Sequence, residues 1–168
     1  PGEIAFMDHM SGMDFIRFMA EMKQMKDLGY AGELIDYLEL DPKVKLKKMS
    51  KGMKQKIALV VAFMQDAPVL ILDEPTSGLD PLMQNKFVEM IKEEQRKGKT
   101  ILMSSHIFEE IENTCDRIVM IKNGKIVADE NMEKIRTERS KHYEITFSDE
   151  RSAKMFQGKY PGSKRSCN

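Results

Sequence analysis

The stretch Val69–Asp80 reads V-L-I-L-D-E-P-T-S-G-L-D, and the rest of the chain is arranged around it. Four apolar residues run without a break into Asp73. A continuous apolar run of this length predicts a strand buried on both faces. Asp73 is its last residue and Glu74 the first beyond it. That puts two carboxylates at a C-terminal sheet edge, where open α/β folds place ligands. Their different positions predict different roles, one near a hydrated metal and one directed at a water. A core strand capped by solvated acids would explain an apolar run ending in Asp-Glu. It explains less well why Pro75, Thr76, Ser77, Gly78, Leu79 and Asp80 follow at once.

Upstream, Met49-Ser50-Lys51-Gly52-Met53-Lys54-Gln55-Lys56 precedes a helical pattern in which Met53, Ile57, Val60, Val61 and Met64 are apolar. Ser50 is placed to cap that helix, which is expected to run to about Gln65. A Ser and a Gly at a helix start offer a hydroxyl and free amides to an anion, and the helix dipole adds attraction. An ordinary N-cap would look the same. The segment's position just ahead of the aspartate strand favours the functional reading. The seven lysines between Lys43 and Lys56 predict a solvated face. No aromatic residues interleave with them to stack bases, so no nucleic-acid partner is expected.

Nearer the start, Ser11 and Asp14 form a capping-box pattern ahead of Phe15, Ile16, Met19, Met22 and Met25 at helical spacing. A second amphipathic segment is expected over Gly32 to Leu40. With no strand between them, the two read as a small helical subdomain. Met7, Met10, Met13, Met19, Met22 and Met25 crowd this region. A core stripe is the plainer account, and a pliable protein-binding surface the sharper one.

Downstream, Asp80-Pro81 predicts a helix start. That helix carries Leu82, Phe87, Val88 and Ile91 and stops at Gly98. Thr100–Ser105 is a short β-prone run, so strand–helix–strand order implies a parallel pair. Ser104, Ser105 and His106 then fall on the same edge as Asp73 and Glu74. A lone histidine at a strand end is usually structural, but one on this edge is a candidate phosphate contact. Ile107–Cys115 reads as a short acidic helix. Ile118–Ile121 and Lys125–Asp129 read as strands joined through Asn123-Gly124, a strong hairpin signal. Asn131–Glu138 is expected to be helical and Tyr143–Phe147 a strand.

Lys+Arg and Asp+Glu are both 27, so net charge selects neither an acidic nor a basic partner. The longest uncharged apolar run, Ile57–Met64, falls far short of the ~20 residues of a membrane-spanning helix. Met7 to Met25 is too interrupted by charge to be a secretion signal. Cys115 and Cys167 read as reduced thiols, and neither has metal-ligand spacing to His9, His106 or His142.

Taken together these segments resemble the nucleotide-binding domain of ABC-transporter ATPases, over roughly residues 1 to 138. The signature segment lies at Ser50–Gln55, the Walker B strand at Val69–Glu74, the D-loop at Ser77–Asp80 and the switch histidine at His106. Their order and joint spacing are specific, although each alone would not be. The Ser-Lys-Gly-Met-Lys-Gln form resembles ATPases of drug and antibiotic exporters whose membrane subunit is a separate chain. The resemblance implies an α/β fold, a partial P-loop NTPase (RecA-like) parallel sheet flanked by helices with an N-terminal helical subdomain. It divides the chain into a helical part (1–48), an ATPase core (49–138) and the start of a C-terminal extension (139–168).

The resemblance also implies roles. ATP and Mg²⁺ are the expected ligands. Asp73 would hold the Mg²⁺ shell, Glu74 would polarise the attacking water and His106 would reach the γ-phosphate. Ser50, Lys51, Gly52 and Met53 would meet ATP bound on a second, head-to-tail ATP-binding domain, and Asp80 would act across that interface. An integral membrane permease would be the further partner, which implies a cytoplasmic location at the inner face of the membrane.

Two departures qualify this. Lys51 and Met53 stand where the family usually has glycine and glutamine, and Met53 cannot make the glutamine's hydrogen bonds. Nor does the chain contain a G-x-x-x-x-G-K-[ST] loop. Pro1-Gly2-Glu3 resembles the Q-loop region, which predicts a C-terminal portion of an ATPase, inactive alone and exposing apolar surface around Val69–Asp73. A non-catalytic partner domain and a soluble ATPase acting on ribosomes or DNA are the alternatives.

Overall fold

The structure, a computed structural model, describes residues 7, 9–138 and 145–162. The Pro1-Gly2-Glu3 segment lies outside them. The chain divides into two compact units, Pro1–Met132 and Glu133–Asn168.

In the first unit, Ser11 caps α1 (Gly12–Met22). Its hydroxyl accepts from the Asp14 amide at 3.1 Å, and the Asp14 carboxylate accepts from the Ser11 amide at 3.2 Å. Both partners of the expected capping box are therefore present. Ser11→Ala is expected to cost about 1 kcal/mol, read as a lower denaturant midpoint with unchanged slope. Helix α2 (Gly29–Tyr37) begins three residues before the expected Gly32, because the Asp27 carboxylate accepts from the Gly29 amide at 2.9 Å. Gly32 lies inside the helix. Of the crowded methionines, Met10, Met13, Met19 and Met25 pack against the core, while Met22 is exposed.

Helix α3 (Lys51–Phe63) starts at its Ser50 cap and ends slightly before the expected Gln65. Strand β1 (Val69–Asp73) pairs in parallel with β2 (Thr100–Ser104), with Asp73 opposite Ser104. The crossover between them is α4 (Pro81–Arg96), capped by the Asp80 carboxylate, which accepts from the Met83 amide at 3.0 Å. The buried stripe of α4 is Met83, Phe87, Met90, Ile91 and Glu94. The expected stripe included Leu82, which is exposed, so the covered face is rotated towards the methionines. Glu94 is only 1% exposed, and it is neutralised by Lys97 and Lys99.

Strand β1 is not buried on both faces. Leu70 and Leu72 enter the core, whereas Val69 and Ile71 are 53% and 75% exposed. Leu102, opposite Ile71, is exposed as well. Successive side chains alternate between faces, and the helices cover one of them. The core thus joins α1, α2, α3, α4 and the inner face of β1 in a single apolar cluster.

Helix α5 (Phe108–Thr114) follows β2, and β3 (Arg117–Lys122) and β4 (Lys125–Asn131) form the expected antiparallel hairpin. Asn123 and Gly124 both have positive φ, 52° and 71°, as a two-residue turn of this hand requires. Val119, Ile121, Ile126 and Val127 are exposed on it.

Helix α6 (Met132–Glu138) follows β4. In the second unit, Ile145–Phe147 form no strand, and the rest of the expected Tyr143–Phe147 strand lies outside the described residues. A helix the sequence reading did not predict, α7 (Glu150–Lys159), is capped by Asp149 and buries no residue of its own. Its Phe156 ring lies between those of Phe147 and Tyr160.

Candidate functional site

Parallel pairing brings the C-terminal ends of β1 and β2 to one edge. There the Ser104 hydroxyl donates to Asp73 Oδ1 at 2.5 Å. That bond holds the exposed Asp73 carboxyl below its ordinary value of 3.8. Because the folded value is lowered, the linked stability is present above pH 3.8 and lost as pH falls through the folded value. Ser104→Ala is expected to move the Asp73 titration upwards towards 3.8, read by carboxyl NMR below pH 4, and to remove this linked stability at neutral pH while leaving stability below the folded value unaffected by it.

Glu74 adopts φ 46°, a left-handed conformation uncommon outside glycine. Its amide donates to the Ser104 carbonyl at 3.2 Å and to the Ser104 hydroxyl at 3.0 Å. The turn ends the strand abruptly and sets the Glu74 side chain beside His106, with Oε2 2.6 Å from His106 Nδ1. An ionised carboxylate only accepts, so Nδ1 carries the proton of this bond. The His106 side chain is 74% exposed, so Nε2 is the nitrogen left for a ligand. Donating from Nε2 to a phosphate oxygen then calls for the imidazolium form. Glu74 keeps its other oxygen and remaining lone pairs for a water.

The turn after Glu74 is gripped by α3. Gln55 Nε2 donates to the Pro75 carbonyl at 2.7 Å, and Lys51 Nζ donates to the Ser77 hydroxyl at 2.8 Å. A Cβ on Gly52 would sit 2.7 Å from the Gly78 carbonyl oxygen, so this close approach needs glycine. Gly78 itself has φ +81°. Ser50 accepts from the Met53 amide at 3.2 Å and keeps its hydroxyl proton to donate. The Met53 side chain packs against the core.

The predicted residues thus form two groups. Asp73, Glu74 and His106 gather at the strand edge. Ser50, Lys51, Gly52 and Met53 gather at the start of α3, against the turn that leads to Asp80. Sequence reading missed the roles of Ser104, of Gln55, and of Glu110, which receives hydrogen bonds from Thr76 and Ser105 at 2.9 Å each. Ser104 had a signal in its register opposite Asp73. Glu110 had none, being one of several acids in a short helix.

Among the described residues no cluster of three or more His, Cys, Asp or Glu could hold a metal by itself. The hard oxygens of Asp73 and Glu74 fit Mg²⁺ carried in with phosphates, because that ion is usually held by one or two carboxylates plus substrate phosphates.

Residues 34–112, from α2 to α5, match the family model described as "AAA domain, putative AbiEii toxin, Type IV TA system". The chain is 33% identical over 135 residues to the ABC transporter ATP-binding protein NatA of Bacillus subtilis, covering 75% of this chain and 53% of that protein. It is 33% identical over 133 residues to the linearmycin resistance ATP-binding protein LnrL of Bacillus subtilis, covering 76% of this chain and 43% of that protein. Its fold matches the solved ATP-binding subunit of an ABC transporter, with TM-score 0.73 and 31% identity over 82% of this chain and 60% of that one. By sequence and by fold, the chain belongs with the ATP-binding proteins of ABC transporters. A dimeric bacterial ABC transporter cassette shares the fold at TM-score 0.65 and 20% identity, over 75% of this chain and 58% of that one. The chain spans about half the length of the curated relative NatA. Within this family of ABC ATPases, the apolar run Val69–Asp73 is the parallel strand that carries the carboxylate pair.

Proposed function

We propose that this chain supplies the hydrolytic edge of an ATPase that drives export through a separate membrane permease. The observation that carries the reading is the Glu74–His106 contact of 2.6 Å beside an Asp73 fixed by Ser104. Bound Mg²⁺ would offset phosphate charge, as it does in phosphoryl transfer generally. Asp73 would hold the ion's water shell. Glu74 would orient and polarise the attacking water, and His106 would donate to the γ-phosphate. The phosphate cradle would come from a Gly-rich loop outside these 168 residues.

The same reading places Ser50 and Gly52 against ATP on a second ATP-binding domain arranged head to tail, with Asp80 near that interface. Lys51 is engaged by Ser77 and would steady the D-loop rather than substitute for a glycine. The names of two relatives support the export reading. LnrL is a linearmycin resistance protein, and a protein 37% identical over 98 residues in Neorhizobium galegae is a Nod factor export ATP-binding protein. No helix among the described residues is long and apolar enough to cross a membrane, so membrane attachment would come through the permease. The test is ATP turnover by the full-length protein with Glu74 replaced by Gln.

A further inference from the structure

Glu110 lies on the short helix α5, away from the strand edge, and is only 5% exposed. One of its oxygens, Oε2, accepts two hydrogen bonds. The Thr76 hydroxyl donates to it at 2.9 Å from the turn that follows Glu74. The Ser105 hydroxyl donates to it at 2.9 Å from the residue before His106. Thr76 is itself 3% exposed. Ser105 also accepts from the Ile107 amide at 3.0 Å, so its hydroxyl spans His106 to the backbone that follows it. The helix is fixed in turn from behind, because Gln95 of α4 donates to the Thr114 carbonyl and the Thr114 hydroxyl donates to the Glu110 carbonyl at 2.7 Å. The other oxygen, Oε1, is buried with no hydrogen-bond partner among the described residues.

A buried carboxylate left half-satisfied is costly, which makes its two remaining bonds the reason for its position. Both go to the loops that present Glu74 and His106. Those side chains meet at 2.6 Å although 32 residues separate them in the sequence. Each sits just past the end of a strand, where the Glu74 amide still ties the first loop to Ser104 and the Glu110 carboxylate joins the residues that follow.

We propose that Glu110 is a positioning residue that sets the separation of Glu74 and His106 by holding Thr76 and Ser105 on a single oxygen. This rests on the hydrolytic reading of Glu74 and His106. Glu110 is buried, and it acts through the two loops.

The experiment is done on the full-length protein. Glu110→Ala is expected to lower kcat for ATP about 10²-fold, the scale on which ångström misplacement acts, with KM for ATP unchanged. Glu110→Gln keeps an acceptor oxygen for both hydroxyls and is expected to recover most of kcat. Thr76→Val and Ser105→Ala remove one bond each, and neither should add to the loss in Glu110→Ala. Independently, the ring nitrogens of His106 are followed by NMR with nitrogen-labelled histidine and no nucleotide. The wild type should show a hydrogen-bonded Nδ1, and Glu110→Ala should lose it.

An unchanged His106 signal in Glu110→Ala overturns the proposal. So does an unchanged kcat in an active protein, or a loss shared equally by kcat, KM and the unfolding midpoint. If the wild type hydrolyses no ATP, the function fails while the His106 signal still decides the role of Glu110. If Glu110→Ala does not fold, Ser105→Ala and Thr76→Val carry the same readouts.

Discussion

Glu74→Gln in the full-length protein is expected to leave MgATP binding intact and to cut turnover by about 10²–10⁴-fold. The contrast follows from the geometry. Glutamine has the shape of glutamate and an acceptor oxygen, so it still receives the His106 Nδ1 proton now given at 2.6 Å. The backbone bonds around it, from the Glu74 amide to Ser104 and from the Ser77 amide to the Glu74 carbonyl, do not involve the side chain. Only the negative charge is lost. A neutral amide cannot draw a proton from water, whereas ligand binding depends on groups that are left in place. The loss corresponds to about 3–5 kcal/mol of transition-state stabilisation. Phosphate release and nucleotide binding, measured on the same preparation, separate the two effects. Turnover retained in Glu74→Gln would take Glu74 out of the reaction.

Phe87→Ala is expected to destabilise the chain by about 3–5 kcal/mol. Phe87 is fully buried on α4, and its ring meets Phe63 of α3 edge-on at 6.5 Å between centroids. This seam joins the helix that begins at Ser50 to the one that begins at Asp80. Alanine leaves a cavity that packed helices cannot close. A domain is stable by only about 5–15 kcal/mol, and here the outer face of β1 gives no further burial. Chemical denaturation should therefore show a large fall in midpoint. Phe87→Leu, which keeps most of the volume, should lose less. A loss below about 1 kcal/mol would mean that the seam is loosely packed.

Much of the site was legible because its signals are local. The strand ending at Asp73, the Ser50 cap, the Asp80-Pro81 helix start and the Thr100 strand were each readable within a few residues. Parallel order alone then placed His106 on the edge of Asp73 and Glu74. Other features were illegible for the same reason. Glu110 looks like Glu109 in sequence, yet one is buried and the other exposed. Gln55 reads only as the last residue of the signature segment, and its bond to Pro75 depends on how α3 lies against the turn. Leu82 and Met83 are adjacent and both apolar, and only packing chose Met83 for the core.

The sequence by itself determined the order of elements as far as α6, the Ser11, Ser50 and Asp80 caps, the Asn123-Gly124 hairpin and the residue types at the strand edge. Those depend on backbone sterics and hydrogen bonds within a turn or two, which the local residues carry with them. Tertiary structure decided which face of β1 is covered, which side of α4 is buried, and that Ser104 and Glu110 hold the residues the sequence had marked. Burial and long-range hydrogen bonds are properties of two segments at once. An apolar run such as Val69–Asp73 states that it can be buried, and only the elements packed on it decide that Leu70 and Leu72 are covered while Ile71 is not.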